Sequence, residues 1–383
     1  MRFIHTSDWH LGRLFFGESL TGEQAALLQE FVALVKDQQP DAVLIAGDVY
    51  DRGVPPAEAV SLLDEVLGRL ALDCRVPVLM IAGNHDSGAR LSFGQRFFGQ
   101  NGLHVCSAVA PAIVRLADRW GPVDFVLVPF AETAAVRMEF GEATVNEPDS
   151  AMQQRMAAMR HIGAQSPRRV AIAHAFLTGG KTSESERPLS VGGTGAVSAA
   201  AFAEFQYVAM GHLHRPQQMD AGRLSYSGSL MKYSFEEADH KKGVYLVELD
   251  QAGALRQEFI PLPAGRDVRV VSGLFSDIMQ GPAAGERADD YLSFLLLDEA
   301  PVIQAVHRLR TIYPKTMEIN YRYQQATLSL SAGQRPDHRA LSSMDLFESF
   351  VDWSTQKPLT ELQRKTMAPF LASTDEAGEG RQG

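Results

Sequence analysis

Cysteine is almost absent from this chain: Cys74 and Cys106 are the only two in 383 residues. So low a count excludes a disulfide framework and fits a reducing, cytoplasmic setting. It also leaves His, Asp, Glu and Asn as the ready metal ligands. Long apolar runs are missing too. None reaches the roughly 18 to 20 residues that a membrane span requires, so no membrane association is expected. The first ten residues, MRFIHTSDWH, carry no apolar stretch of the kind found in a secretory leader. Positive charge is in deficit as well. Thirty-six Lys and Arg stand against 46 Asp and Glu, a net charge of −10. Phosphate contacts favour Lys and Arg, so the composition opposes a conventional nucleic-acid surface. That objection weakens if the acidic side chains hold cations, because bound divalent ions invert the local charge.

What is present suits two or three packed domains. Hydrophobic residues make up 45% and charged residues 21%, enough to bury a large core. Residues 2–6 read as a strand and 22–37 as a helix with Leu27, Leu28, Phe31, Val32 and Val35 on one stripe. Residues 42–47 and 77–83 read as buried strands around a helix at 57–70. This alternation predicts an α/β domain with parallel pairs. Further strands are expected near 111–116, 124–129, 169–173 and 206–210, with a helix at about 149–163. Residues 179–195 are rich in Gly and Ser and read as a long loop. Shorter strands follow between 223 and 262. PLPAGRD (261–267) reads as a linker, and 268–332 alternates strand and helix again. The chain therefore divides into residues 1–264, a small α+β domain at 265–335, a helical segment at 340–372 and a disordered tail at 373–383.

The chemistry lies at the ends of the predicted strands. Asp8 and His10 follow the first. Asp48 and Asp51 follow the second, in GDVYDR, and Asn84, His85 and Asp86 follow the third, in GNHD. His174 ends another strand, and His212 and His214 follow the next, in GHLH. Singly, each is better explained as a turn residue or a hydrogen-bonded histidine. Jointly, five segments deliver ligand-type side chains to one rim, where open α/β sheets bind their ligands. Carboxylates with imidazoles suit a pair of manganese, iron or zinc ions. Such pairs lie about 3.5–4 Å apart, share a bridging carboxylate and activate water against a phosphoryl centre. Residues two apart can both face the site from a strand end. Glycine before Asp48, Asn84 and His212 gives the backbone room to turn there.

These motifs (DWH, GDVYDR, GNHD, AH and GHLH) together resemble the calcineurin-like metallophosphoesterases. HAFLTGG (174–180), SESERPLSVGGTGAV (183–197), YVAMGHLHRPQ (207–217) and YSGSLMKYSFEEADHKKGVYLVEL (226–249) narrow the resemblance to the bacterial SbcD exonuclease-subunit family. The resemblance implies a metallophosphoesterase β-sandwich flanked by helices, with residues 265–335 as a small α+β capping, DNA-binding domain and helices beyond. It implies two divalent ions, manganese first among them. Asp8, His10, Asp48 and His214 would hold one ion, and Asp48, Asn84, His174 and His212 the other, with Asp48 bridging. His85 would assist the leaving oxygen, and Asp51 would orient it. Arg52 and Arg215 are candidates for phosphate contact.

The implied activity is hydrolysis of DNA: exonuclease, 3′ to 5′ on duplexes, and endonuclease on single strands and hairpins. It serves repair, recombination and replication. The implied partner is SbcC, an SMC-like ATPase, with a homodimer of this chain inside a heterotetramer. Leu346, Phe347, Phe350, Val351 and Trp353 form an apolar helical stripe, and Leu359, Leu362, Met367 and Phe370 suggest a second helix. Composition alone favours packing of both on their own domain. The resemblance makes them a docking site for the base of the ATPase coiled coil. A small-substrate phosphodiesterase acting on cyclic nucleotides, and a non-catalytic scaffold, are the alternatives. The domain beyond residue 265 argues against the first, and the complete ligand set argues against the second.

Overall fold

The computed structural model describes residues 1–162, 166–187, 189, 195–263, 265–322, 343–355 and 358–379. It divides into two compact units, Met1–Arg269 and Val270–Gly383.

The first unit is built on two six-stranded sheets. In one, the strand order is Leu255–Pro261, Gly243–Leu249, Arg2–Thr6, Ala42–Ile45, Val78–Ile81, Leu103–Cys106. Arg2–Thr6 through Leu103–Cys106 run parallel, and Gly243–Leu249 lies antiparallel beside Arg2–Thr6. In the other, the order is Gln217–Met219, Leu224–Tyr226, Tyr207–Gly211, Arg169–His174, Gly121–Val128, Ala112–Asp118. Its four middle strands are parallel and both edge strands antiparallel. The apolar runs of the central strands dictate this arrangement, because strands buried on both faces cannot alternate with polar residues. Phe3, Leu44, Leu79 and Ile81 pack between the sheets against Phe125, Leu127, Val170, Ile172 and Tyr207. Each such side chain contributes about 1.5–3 kcal/mol by leaving water.

The outer faces are covered as well. Met152, Met156 and Met159 of the helix Pro148–Ile162, with Phe202 and Phe205, cover Val126, Ala171, Val208 and Met210. The helix Thr21–Gln38 buries the stripe Leu27, Leu28, Phe31, Val32 and Val35, with Phe31 edge-on to Trp9 at 5.8 Å. The chain is thus a β-sandwich flanked by helices, as expected. The carboxyl ends of its parallel strands carry the motifs.

The second unit is built on a three-stranded sheet of Val268–Gly273, which begins just before the unit boundary, Tyr291–Leu296 and Thr316–Tyr321, in that order. Phe275, Ile278, Phe294, Leu309 and Tyr313 form its core. Two helices follow, Ser343–Thr355 and Glu361–Glu379, joined by an ion pair between Glu348 and Arg364. The second helix continues to Glu379, into the segment whose composition reads as a tail. Its alanines and glutamates extend an existing helix cheaply. Among the described residues, no helix is long and apolar enough to cross a membrane.

Candidate metal centre

The predicted ligands converge at one buried rim. Asp8, His10, Asp48, His174, His212 and His214 are all buried, although each follows or ends a strand. Their backbones are unusual. Asp8 (φ 52°), His10 (φ 44°), Asp48 (φ 49°) and His212 (φ 109°) all adopt positive φ. A non-glycine residue held there costs on the order of 1–3 kcal/mol, and such strain concentrates at functional sites. Four ligand-type residues with the same strain tie the turns to the side chains they aim. The loops are pinned by main-chain bonds, Asp8 N to Gly47 O and His10 N to Asp48 O, both 3.0 Å.

Of the glycines expected beside these residues, Gly47 serves both turning and close approach, and Gly83 and Gly211 serve close approach. Gly47 has φ 88°, and a Cβ there would lie 2.5 Å from His174 Nδ1 and 2.9 Å from Gly83 Cα. A Cβ on Gly211 would run into the carbonyl oxygen of Ala46. Any side chain at either position would force apart the two strand ends that carry the ligands.

The donors fall into two groups. The ligand atoms of Asp8, His10 and His214 lie within 4.8 Å of one another, and so do those of Asp48, His174 and His212. Asn84 Oδ1 joins the second group, 2.9 Å from His174 Nε2 and 3.2 Å from His212 Nδ1. Asp48 Oδ2 reaches both groups, 3.7 Å from His10 Nε2 and 3.5 Å from His174 Nε2. It is a carboxylate oxygen placed where both groups could share it.

The ring nitrogens fit a cation. His10 Nε2 and His214 Nε2 face each other at 3.0 Å. Each ring presents its other nitrogen to acceptors: His10 Nδ1 lies 3.6 Å from Asp51 Oδ1, and His214 Nδ1 is 2.5 Å from Ser185 Oγ. With protons on both Nδ1 atoms, two lone pairs point at one space. His174 is held likewise, Nδ1 to Ala46 O at 2.8 Å. Burial pushes His212 and His214 down to about 3, and lowers His10 and His174 too. Their rings are therefore neutral near pH 7, the form that binds metal. Burial alone would raise Asp48, but the positively polarised surroundings supplied by His174, His10 and His85, whose amide donates to Oδ1 at 2.8 Å, hold it below the ordinary carboxylate range. Burial and the neighbouring Asp48 charge push Asp8 well above that range.

Residues 1–216 match the family model described as calcineurin-like phosphoesterase. The chain belongs to the calcineurin-like phosphoesterase family. As a calcineurin-like phosphoesterase it is a metal-dependent hydrolase, and its two donor groups are where ions can be held. Residues 264–355 match a second family model, the SbcD_C family, described as the type 5 capsule protein repressor C-terminal domain. Among solved structures, TT1561 of Thermus thermophilus is 15% identical (TM-score 0.39), with 67% of this chain and 98% of that one covered. A dimetal phosphatase from Danio rerio is 13% identical (TM-score 0.39; 69% and 99% covered). The calcineurin-like phosphoesterase YfkN from Bacillus subtilis is 10% identical (TM-score 0.38; 68% and 90% covered).

The other predicted residues of this phosphoesterase are placed as follows. His85 is half-buried; its Nδ1 donates to the main-chain carbonyl of Asp51 at 2.8 Å, and its Nε2 lies 4.0 Å from Asp48 Oδ2. Asp51 thus orients His85 through its backbone, while its carboxylate faces His10 and pairs with Arg13 at 3.2 Å. His10, Asp51 and His85 also form a third set of ligand-type atoms within 4.8 Å. Asp86 anchors the loops, accepting from the amides of Val49, Tyr50 and Gly83 at 2.9–3.1 Å. Arg52 and Arg215 are exposed.

Sequence reasoning missed five residues. Arg13 lines an open cleft of about 360 Å³ with Asp51, His85, Ser185, Glu186 and Arg187. Ser185, Glu186, Glu237 and Lys242 surround His214. The only signal for Ser185, Glu186, Glu237 and Lys242 was their presence in SESERPLS and FEEADHKKG, within the stretches that carry the finer resemblance; Arg13 had none.

Proposed function

We propose that this chain is a manganese-dependent DNA nuclease that works as the phosphodiesterase subunit beside an SMC-like ATPase. One observation carries the reading. A phosphoesterase domain with a shared carboxylate between two donor groups is followed, at 264–355, by a match to the SbcD_C family. A carboxylate–imidazole–amide donor set without thiolate supports manganese among the hard and borderline ions.

The division of labour follows from the side chains. Asp8, His10, Asp48 and His214 would hold one ion, and Asp48, Asn84, His174 and His212 the other. Bound ions supply Lewis acidity to the phosphoryl oxygens and activate water at neutral pH. His85 faces the cleft with its Nδ1 proton tied to a carbonyl, which can only accept, so Nε2 is the nitrogen that takes up a second proton and, in the imidazolium form, can pass it to the leaving sugar oxygen. Arg13, fixed between Asp51 and Ser185 O, places positive charge on the same cleft. Hydrolysis in this arrangement uses no covalent enzyme intermediate, so the serines of the 183–198 loop have no nucleophilic role.

The deciding assay offers the purified chain bis-p-nitrophenyl phosphate, a cyclic nucleotide, and linear duplex and hairpin DNA, with and without manganese. Manganese-dependent cleavage of DNA supports the proposal. Turnover of the cyclic nucleotide without DNA cleavage overturns the substrate class, and no turnover of anything leaves a scaffold.

A further inference from the structure

The segment after Thr178 reads from its Gly and Ser content simply as a long loop, yet its described part is fastened to the metal centre. Lys242 is buried, and its ammonium donates to His214 O and Ser229 Oγ, both at 2.7 Å, and to Glu237 Oε2. All three of its protons are thereby used. The other oxygen of Glu237, itself fully buried, accepts from Ser185 Oγ. A carboxylate anion can only accept, so the serine hydroxyl points its proton at Glu237. Its lone pair then takes the Nδ1 proton of His214, at 2.5 Å. The direction of each hydrogen bond in the chain is forced by the one before it. The result is a single tautomer of His214, with its Nε2 lone pair turned to His10 and Asp8. Glu186 holds the loop in place, accepting from His214 N at 2.6 Å and Ser183 N at 2.8 Å, and Arg13 Nη2 donates to Ser185 O at 3.1 Å.

We infer that Lys242, Glu237 and Ser185 are positioning residues that make Asp8–His10–His214 the more strongly supported of the two metal positions. The inference rests on the dimetal reading above. The contrast lies in what stands behind each imidazole. His214 is backed through Ser185 by a carboxylate, and His10 faces the Asp51 carboxylate, whereas His174 is backed only by the neutral carbonyl of Ala46. A carboxylate behind an imidazole raises its basicity towards a metal, and removing such a partner weakens binding by about 10–100-fold.

The test is a manganese titration of the metal-free full chain by calorimetry, with cobalt absorption as a spectroscopic readout of ligand geometry. Ser185→Ala removes a single hydroxyl from a half-buried loop position, so folding, checked by circular dichroism, is less at risk than in the fully buried Glu237→Gln. In Ser185→Ala, one of the two binding steps should weaken by about 10–100-fold, the other should stay as in the parent, and Ser185→Thr should restore the first. Fewer than two ions bound by the parent chain would sink the dimetal reading itself. Two ions bound by the parent, with Ser185→Ala unchanged or with both steps weakened alike, would overturn the relay and leave the dimetal reading standing.

Discussion

The imidazole of His85 is held by the main-chain carbonyl of Asp51, Nδ1 to O at 2.8 Å, and not by its carboxylate. The carboxylate instead faces His10 Nδ1 at 3.6 Å and Arg13 at 3.2 Å. Asp51→Asn therefore keeps the His85 contact and weakens the support of His10. We expect manganese affinity to fall by about tenfold, the lower end for loss of an outer partner. Saturating metal should restore most of the activity. If excess manganese recovers nothing, the Asp51 carboxylate acts on the reaction and not through His10.

His85→Ala separates catalysis from metal binding. Proton transfer by a placed side chain contributes about 10²–10⁴-fold, so activity should fall by that factor. Elemental analysis should still find about two ions per chain, as a two-metal site requires. Loss of an ion together with activity would make His85 a ligand, through the group it forms with His10 and Asp51.

Asp48 is the carboxylate that reaches both donor groups. Asp48→Ala should reduce cleavage to the metal-free background and lower the ion count for both positions. His212→Ala should remove an ion from one group only, again with loss of cleavage. Full activity in either variant would remove the two-metal assignment.

Acid should destabilise the metal-free chain through its buried histidines. Burial holds His5, as well as His212 and His214, at about 3, against about 6.5 in an unfolded chain. Between these values the unfolded state binds more protons at these rings, so the histidines make stability rise with pH from about 3 to about 6.5, while Asp86 and Glu186, pushed up to about 7 by burial, act in the opposite direction in the upper part of that window. His5 takes no part in the donor groups; its ring bonds Tyr207 OH at 2.9 Å and Met210 O at 3.1 Å. His5→Gln should flatten part of that slope without changing metal affinity. Urea midpoints measured across the window check the sign. A His5→Gln slope no flatter than the parent's would contradict the neutral, buried state of His5.

Truncation before residue 340 tests the docking role of the C-terminal helices. No proposed ligand lies there, so manganese-dependent cleavage of bis-p-nitrophenyl phosphate should survive. Binding to an SbcC-like ATPase should be lost in a pull-down, and ATP-dependent degradation of long duplexes with it. Ser343–Thr355 forms a helix, as its apolar spacing predicts, with Phe350 58% exposed; the side chains of Leu346 and Trp353 lie outside the described residues. Full binding by the truncated chain would reduce the stripe to internal packing.

The chemistry this chain can hold, and roughly where, is legible in its residues alone. Apolar runs such as AVLIAG and PVLMIAG are local signals, and the polar residues directly after them have to emerge at strand ends. Asp8, His10, Asp48, Asn84, His174, His212 and His214 were legible for that reason. Composition also limited the donors to oxygen and nitrogen. Tertiary structure alone decided the rest, because the deciding contacts join residues far apart in the chain or use atoms that every residue has. The placement of Asp48 between two donor groups depends on how two six-stranded sheets pack. The hold on His85 is a backbone carbonyl, which no side-chain pattern reports. The path from Lys242 through Glu237 and Ser185 to His214 is an ion pair within one loop and two hydrogen bonds that cross between separate segments. In the sequence those residues look like solvated charge and a serine-rich loop, and only burial gives them a direction.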